Sequence, residues 1–359
     1  MEPAGQLQPP FTKGHSSVVR VADDWYIVCR SEALKQQPLA VTLLGTPLVL
    51  FRDTHAKPAT LLDRCSHRNT PLSFGNVLGE TLQCAYHGWE FDGSGECRAV
   101  PGLLGEPWSK GRHVSSFATR EQQGFIWVYA GPDVEPEREP FRFSLMGEGG
   151  YTTVCEEMAV EATLHATAEN ALDVPHTAYL HGGLFRSRGG TRKEIEVTVK
   201  RTFDRVEAHY VGESRPSGLA GKMLAPGGGE VTHVDRFILP SIAQVEYTLG
   251  HSTHISVTTA LTPVHDFSTR LFSVVSLRLP MPGWVVTPIL KPIVMRIFRQ
   301  DADMLKRQTR TIRQFGGEQF SSTEIDVLGG HILRLLKQAE RGERDPHQEP
   351  VVNRLRMLM

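Results

Sequence analysis

Two short loops constrain this 359-residue chain more than any other feature: Cys65-Ser66-His67 and, further on, Cys84-Ala85-Tyr86-His87. Each offers one thiolate and one imidazole, the side chains that bind soft and borderline transition metals. A structural zinc site uses the same four ligands, but it usually groups Cys with Cys and His with His along the chain. Here each loop supplies one of each, as two loops clasping a bimetallic centre from opposite sides require.

The flanks extend the pattern. Arg68 follows the first pair, with Pro71-Leu72 and Gly75 beyond it, and the second runs on through Gly88-Trp89, Phe91-Asp92 and Gly95. Taken together these residues resemble the Rieske signature. The resemblance implies a 2Fe-2S cluster held by Cys65, His67, Cys84 and His87. Two imidazoles then replace two thiolates on one iron, which removes negative charge and raises the reduction potential above that of an all-cysteine cluster. Two positions depart from the pattern: Asn69 stands where Gly is frequent, and Ala85 where Pro is common. Neither is a ligand position, so both bear only on loop geometry.

A single small metal module does not need 359 residues, so further chemistry is expected downstream. With a formal net charge of -1 and no basic stripe interleaved with aromatics, the chain gives no reason to bind nucleic acid. Cys29, Cys97 and Cys155 show no pairing pattern and read as thiols of a reducing compartment. Residues 1–17 contain no apolar core of a signal peptide and read as a loose arm. The apolar stretch from Met281 to Phe298 is broken by Pro282, Pro288, Lys291, Pro292 and Arg296, so no transmembrane segment is expected and the location is read as cytoplasmic.

Residues 18–134 alternate short β-rich runs with turn signals, among them Trp25-Tyr26-Ile27-Val28, Leu48-Val49-Leu50-Phe51 and Phe125-Ile126-Trp127-Val128-Tyr129. This is an all-β module. A linker reading falls on Pro132 to Pro140, and residues 135–359 form a second domain. There, strand-like runs at Glu194 to Tyr210, Thr232 to Tyr247, His254 to Leu261 and Leu271 to Leu279 precede a long final helix, which makes an α+β domain with an antiparallel sheet.

That second domain carries another ligand pattern, Asp173-Val174-Pro175-His176-Thr177-Ala178-Tyr179-Leu180-His181. Asp173 and His176 would share a helix face. Five residues rotate His181 away from His176 on an ideal helix, so Pro175 is read as a kink that aims both rings at one metal. A carboxylate would complete the facial triad of a non-haem Fe(II) site. The candidates are Asp301 and Asp303. Phe298, Leu305, Ile312 and Phe315 recur as a buried helical stripe with Asp301 at its centre and Asp303 opposite. A carboxylate on an apolar stripe is expensive unless metal-bound or paired, which favours Asp301.

With both ligand patterns in place, the whole chain resembles the catalytic (alpha) subunit of a Rieske non-haem iron oxygenase. The resemblance implies a Rieske domain followed by a helix-grip catalytic domain, with His176, His181 and Asp301 as ligands of a mononuclear Fe(II). It makes Asp173 the link between a cluster histidine of one subunit and an iron histidine of the next. It further implies a head-to-tail homotrimer and a separate reductase or ferredoxin as electron donor, since no dinucleotide fingerprint accompanies NAD(P)H use in this chain. The expected activity is hydroxylation or oxidative dealkylation, by mono- or dioxygenation, of a small apolar, cyclic (aromatic or steroid-like) substrate with dioxygen. Two other readings compete: a Rieske electron-transfer protein, and an apolar-ligand binding protein without oxygenase activity. Phe185, Leu219, Met223, Leu224, Phe237, Ile238 and Val245 are candidate pocket walls, with Pro226 to Gly229 as a loop at the mouth.

Overall fold

A computed structural model describes residues 14–181, 193–213, 231–250, 253–279 and 283–358. Its contacts divide the chain into two compact units. Of the described residues, one comprises 22–142 and 262–265, the other those from 14–21, 143–261 and 266–358.

The first unit is built from ten strands: β1 (Trp25–Arg30), β2 (Leu39–Leu43), β3 (Thr46–Arg52), β4 (Pro58–Leu62), β5 (Asn76–Leu78), β6 (Thr81–Gln83), β7 (Glu90–Asp92), β8 (Cys97–Ala99), β9 (Ser116–Gln122) and β10 (Phe125–Pro132). Six form an antiparallel sheet in the order β1-β10-β9-β4-β3-β2, and β5 to β8 form a small meander. β-Branched and aromatic residues dominate these runs, as a pleated, half-buried surface favours. Tyr26, Val49, Phe51, Leu61, Ile126 and Val128 are fully enclosed in one core, which also takes in Leu72, Leu82 and Phe91 beneath the ligand loops. Arg138, within the stretch read as a linker, is hydrogen-bonded beside β1. Trp25 Nε1 donates to the Arg138 carbonyl and the Arg138 guanidinium donates to the Asp23 carbonyl, so the stretch is fastened to β1.

The second unit contains β11 (Thr152–Val160), β12 (Glu194–Arg201), β13 (Arg205–Val211), β14 (Val231–Ile238), β15 (Ile242–Leu249), β16 (Thr253–His265), β17 (Ser268–Arg278) and β18 (Val351–Leu358). They form an eight-stranded sheet in the order β11-β17-β16-β15-β14-β13-β12-β18. Among the described residues four helices accompany it: α1 (Leu164–Leu172), α2 (Thr177–Leu180), α3 (Gly283–Gln314) and α4 (Gly329–Glu340). Leu164, Ala168 and Leu172 of α1 and Ile332, Leu335 and Leu336 of α4 share a buried cluster with Val197, Val199, Val206, Ala208 and Phe237 of the sheet. This is the α+β class read from the sequence.

Three details differ. The last described element is not a helix: Val351 to Leu358 pairs as an edge strand on β12, Val197 opposite Leu355, with Val351, Leu355 and Met357 on its less exposed side. Phe315 lies beyond the end of α3 and is 79% exposed, so it is no part of the buried stripe that contains Leu305. The end of the N-terminal arm is also tied down. Ser17 N–H donates to Glu318 and the Gly14 carbonyl accepts from Glu318 N–H. No helix among the described residues is long and apolar enough to cross a membrane.

Candidate metal centres

The two Cys/His loops repeat one backbone device. Cys65 N–H donates to the Thr70 carbonyl and Asn69 N–H to the Cys65 carbonyl, at 2.8 and 2.9 Å. Cys84 N–H donates to the Trp89 carbonyl and Gly88 N–H to the Cys84 carbonyl, at 2.8 and 3.0 Å. Each loop closes through a left-handed residue, with φ of 60° at Asn69 and 68° at Gly88. Asn is one of the few non-glycine residues that tolerate this region. The departure at Asn69 therefore preserves the turn. Asn69→Val is expected to cost about 1–2 kcal/mol of stability and Asn69→Gly almost nothing, read by chemical denaturation.

Folding sorts the four side chains by type. Cys65 and Cys84 are each 2% exposed and their thiols meet inside, whereas the His67 and His87 rings face each other at 4.6 Å, His67 half-buried and His87 exposed. Trp89 stacks flat on His67, at 4.6 Å and 3°. Burial pushes the Cys65 thiol up to about 11, and His67 is held below its ordinary value by desolvation and by His87 and Arg68. His67 Nδ1 is buried without a hydrogen-bond partner. A sulfur pair beside an imidazole pair, with an orphaned ring nitrogen, fits a two-iron cluster with different ligands on each metal. Cys29, Cys97 and Cys155 are in no disulfide.

The second centre is reached through a broken helix, not a kinked one. Thr163 caps α1 by accepting from Ala166 N–H, and the helix stops at Leu172 because Asp173 is extended and Val174 precedes a proline, which disfavours helical backbone. Asp173 thus lies outside the helix. A new turn starts at His176, with Leu180 N–H donating to the His176 carbonyl, and brings His181 round until the two rings stand 5.2 Å apart.

Within this turn His176 Nδ1 lies 3.2 Å from Asp173 Oδ2, and His181 Nδ1 lies 2.9 Å from Gln300 Oε1. Both acceptors fix the ring proton on Nδ1 in the neutral rings, which leaves both Nε2 lone pairs pointing inward, 3.3 Å apart. Asp301 Oδ1 sits 3.0 Å from His181 Nε2 and 3.5 Å from His176 Nε2, and it is buried with no hydrogen-bond partner. Three electron-rich atoms converging without a donor require a cation. His176, His181 and Asp301 form the one group among the described residues whose ligand atoms lie within 4.8 Å of one another. Asp303 is exposed.

In the metal-free protein a proton fills that role. Burial pushes the His176 imidazolium down, but the Asp173 and Asp301 carboxylates outweigh it and hold the group at about 9. Near pH 7 the ring is therefore charged, and a metal must displace that proton. Binding of Fe(II) is expected to release about one proton per site and to strengthen as pH rises towards 9, measurable by calorimetry in buffers of different ionisation enthalpy.

Gln300 was not singled out by sequence reasoning; only its place beside Asp301 on α3 hints at its role. Of the candidate pocket walls, Phe237 is core and Val245 packs against it. Ile238 is half-buried, and Phe185, Leu219, Met223, Leu224 and Pro226 to Gly229 lie outside the described residues.

Comparison with known proteins follows the same division. Residues 24–107 match the Rieske [2Fe-2S] domain, and residues 160–342 match the vanillate O-demethylase oxygenase C-terminal domain. The oxygenase component of dicamba O-demethylase from Stenotrophomonas maltophilia is 36% identical over 182 residues, 50% of this chain and 53% of that protein, so this match spans about half the relative's length. The vanillate O-demethylase oxygenase subunit of Pseudomonas sp. (strain HR199 / DSM 7063) is 25% identical over 92% of this chain and 98% of its own. Among solved structures, dicamba monooxygenase bound to dicamba superposes with a TM-score of 0.75 at 25% identity, covering 90% of this chain and 99% of that one. With a Rieske module followed, over more than half of its length, by the C-terminal domain of this oxygenase type, the chain belongs to the Rieske non-haem iron oxygenases.

Proposed function

We propose that this chain is the oxygenase component of a multicomponent system that hydroxylates or oxidatively demethylates a small aromatic or heterocyclic substrate. The observation that carries the reading is the inward convergence of His176 Nε2, His181 Nε2 and the partnerless Asp301 Oδ1. Such a set leaves coordination positions open for dioxygen and substrate, which a ferredoxin or a simple binding protein does not need.

In this reading Cys65, His67, Cys84 and His87 hold the 2Fe-2S cluster of the domain at 18–134, and His176, His181 and Asp301 hold the Fe(II) of the domain at 135–359. The cluster supplies electrons singly, and the ferrous ion supplies the site for dioxygen reduction. The chain's own residues orient and insulate. Asp173 fixes the His176 ring and Gln300 the His181 ring, so each presents the correct nitrogen. A separate reductase or ferredoxin passes electrons from NAD(P)H, and a head-to-tail homotrimer brings the cluster of one subunit to the iron of the next through Asp173. The reducing, cytoplasmic setting is in keeping with the absence of disulfides among the described cysteines.

Demethylation is preferred because several relatives are demethylases of methoxy or N-methyl groups: dicamba and vanillate O-demethylases, and the methylxanthine N1-demethylase of Pseudomonas putida, 33% identical over 44% of this chain. The test is formaldehyde release coupled to dioxygen uptake, with a panel of methoxy-aromatic and N-methyl heterocyclic compounds and a surrogate reductase. Reductant-dependent formaldehyde supports the reading. A cluster that cycles with no substrate-stimulated dioxygen uptake on any compound contradicts it.

Asp173→Asn is expected to keep both metals and the cluster's reducibility while slowing electron delivery by at least about tenfold. Rapid mixing of the reduced, substrate-bound protein with dioxygen reads this as slower cluster reoxidation. A wild-type rate would leave Asp173 only the structural task of holding His176.

A further inference from the structure

Side chains alternate along β12, and Ile195, Val197 and Val199 of its inner face all belong to the core shared with α4. The next position in that row is Arg201, and it is buried too, at 5% exposed. Its cross-strand partners are Val206 of β13 and Val351 of β18, which offer no charge. A buried cation is costly unless a carboxylate accompanies it. Arg20, Arg52, Arg205 and Arg236 obey that rule, lying against Asp266, Glu121, Asp204 and Glu246.

Arg201 does not. Among the described residues its guanidinium meets one polar side-chain partner, His331 Nδ1 at 3.5 Å, and no carboxylate. A guanidinium can only donate, so this contact takes the imidazole nitrogen as acceptor and leaves His331 neutral. His331 lies on α4. Arg334 stands one turn further along the same flank of that helix, exposed and, among the described residues, in no ion pair.

The electrostatics follow from this gathering. Burial and then the Arg334 charge hold the Arg201 guanidinium below its ordinary value, and burial followed by Arg201 and Arg334 does the same to the His331 imidazole. No carboxylate acts on either group. Two fixed positive charges and a neutral ring thus meet where the end of β12 adjoins α4, uncompensated by the chain itself.

We propose that Arg201, His331 and Arg334 form a binding site for a dianionic tetrahedral oxyanion, either inorganic phosphate or the phosphoryl group of a small monoester. The charge count selects the class. Two guanidinium forks match a dianion whose oxygens accept hydrogen bonds in pairs, whereas one carboxylate leaves half of the positive charge unmatched. The bound ion would tie the end of β12 to α4. That helix meets α1 through the Gly329 carbonyl, 2.9 Å from His165 Nε2, so the ion would brace the pair of helices from which the chain runs on to Asp173. The site shares no residue with either metal centre and does not depend on the oxygenase reading.

Calorimetric titration of the holoenzyme with inorganic phosphate, O-phosphorylethanolamine or acetate, at constant ionic strength and about pH 8 where the phosphoryl groups are dianionic, tests this. One phosphate per chain should bind with a Kd below about 1 mM and raise Tm. Arg201→Met and Arg334→Gln should each weaken binding at least about tenfold, and Arg307→Gln, at an exposed position of α3, should leave it unchanged. Without phosphate, Arg201→Met should unfold at the wild-type temperature or above, because it removes a buried charge that has no counter-charge. A fall in Tm in that buffer would make Arg201 a purely structural residue and overturn the site. Binding of phosphate alone identifies the free ion as ligand, and equal or tighter binding of the monoester identifies a phosphorylated small molecule. Absence of both, acetate binding as tightly as phosphate, or phosphate binding that survives both substitutions, as uptake by the iron would, refutes the proposal. If Arg201→Met does not fold, crystals of the wild type soaked in selenate decide: anomalous density must lie between Arg201 and Arg334, and its absence there refutes the site.

Discussion

Replacing His176, His181 or Asp301 with alanine is expected to lower turnover by more than about a hundredfold while the cluster's visible absorption persists. Loss of an outer group that merely orients a ligand already costs about 10–100-fold in metal affinity or activity, and in the proposed three-ligand site each of these substitutions would remove a direct protein bond. The two centres share no ligand, so the damage stays local. Asp301→Ala carries a second signature. It removes one of the two carboxylates that hold the His176 imidazolium up at about 9, so near pH 7 the iron-free variant should be less stable than iron-free wild type, and the gain from added iron should vanish. Asp303→Ala, at an exposed position on the other side of α3, should keep near-wild-type turnover. Iron analysis together with dioxygen uptake reads all four variants.

The second large effect belongs to the cluster. His87→Cys replaces a neutral imidazole with a thiolate and adds negative charge to the oxidised cluster, which disfavours the added electron. Rieske centres lie at about -150 to +300 mV, against about -400 mV for all-cysteine plant-type clusters, so one substitution should lower the potential by on the order of one to a few hundred millivolts. The exposed position of His87 leaves room for the exchange, whereas the Cys65 and Cys84 sites are enclosed. A redox titration followed by electron paramagnetic resonance measures the shift. An unchanged potential would mean that His87 is not on the cluster.

The two Cys/His loops were legible in the sequence as a candidate site because the chemistry they offer depends on residue type and local spacing. Their turn geometry was less so: that Asn69 and Gly88 occupy equivalent left-handed positions emerges only from the backbone bonds around Cys65 and Cys84. Strand β10 was readable from its apolar run, whereas Glu194 to Tyr210 and Thr232 to Tyr247, each read as one strand-like run, fold as the hairpins β12–β13 and β14–β15. The path from Asp173 to His181 was not, because the Val174-Pro175 step breaks the helix outright where periodicity suggested a kink. Asp301 could be chosen by helical phase, since Leu305 on the same helix is truly buried, even though Phe315 falls outside α3. Gln300 escaped detection because its role arises from a partner 119 residues distant, and helix docking, not local pattern, brings the two together.

Mössbauer spectroscopy of isotopically iron-loaded protein, wild type beside His181→Ala, tests the two-centre account most directly. The account predicts a 2Fe-2S signal with inequivalent irons plus one separate high-spin ferrous site per chain, with only the ferrous signal lost in the variant. A ferrous signal that survives His181→Ala, or a protein that takes up zinc at the Cys/His loops and forms no cluster, would contradict it.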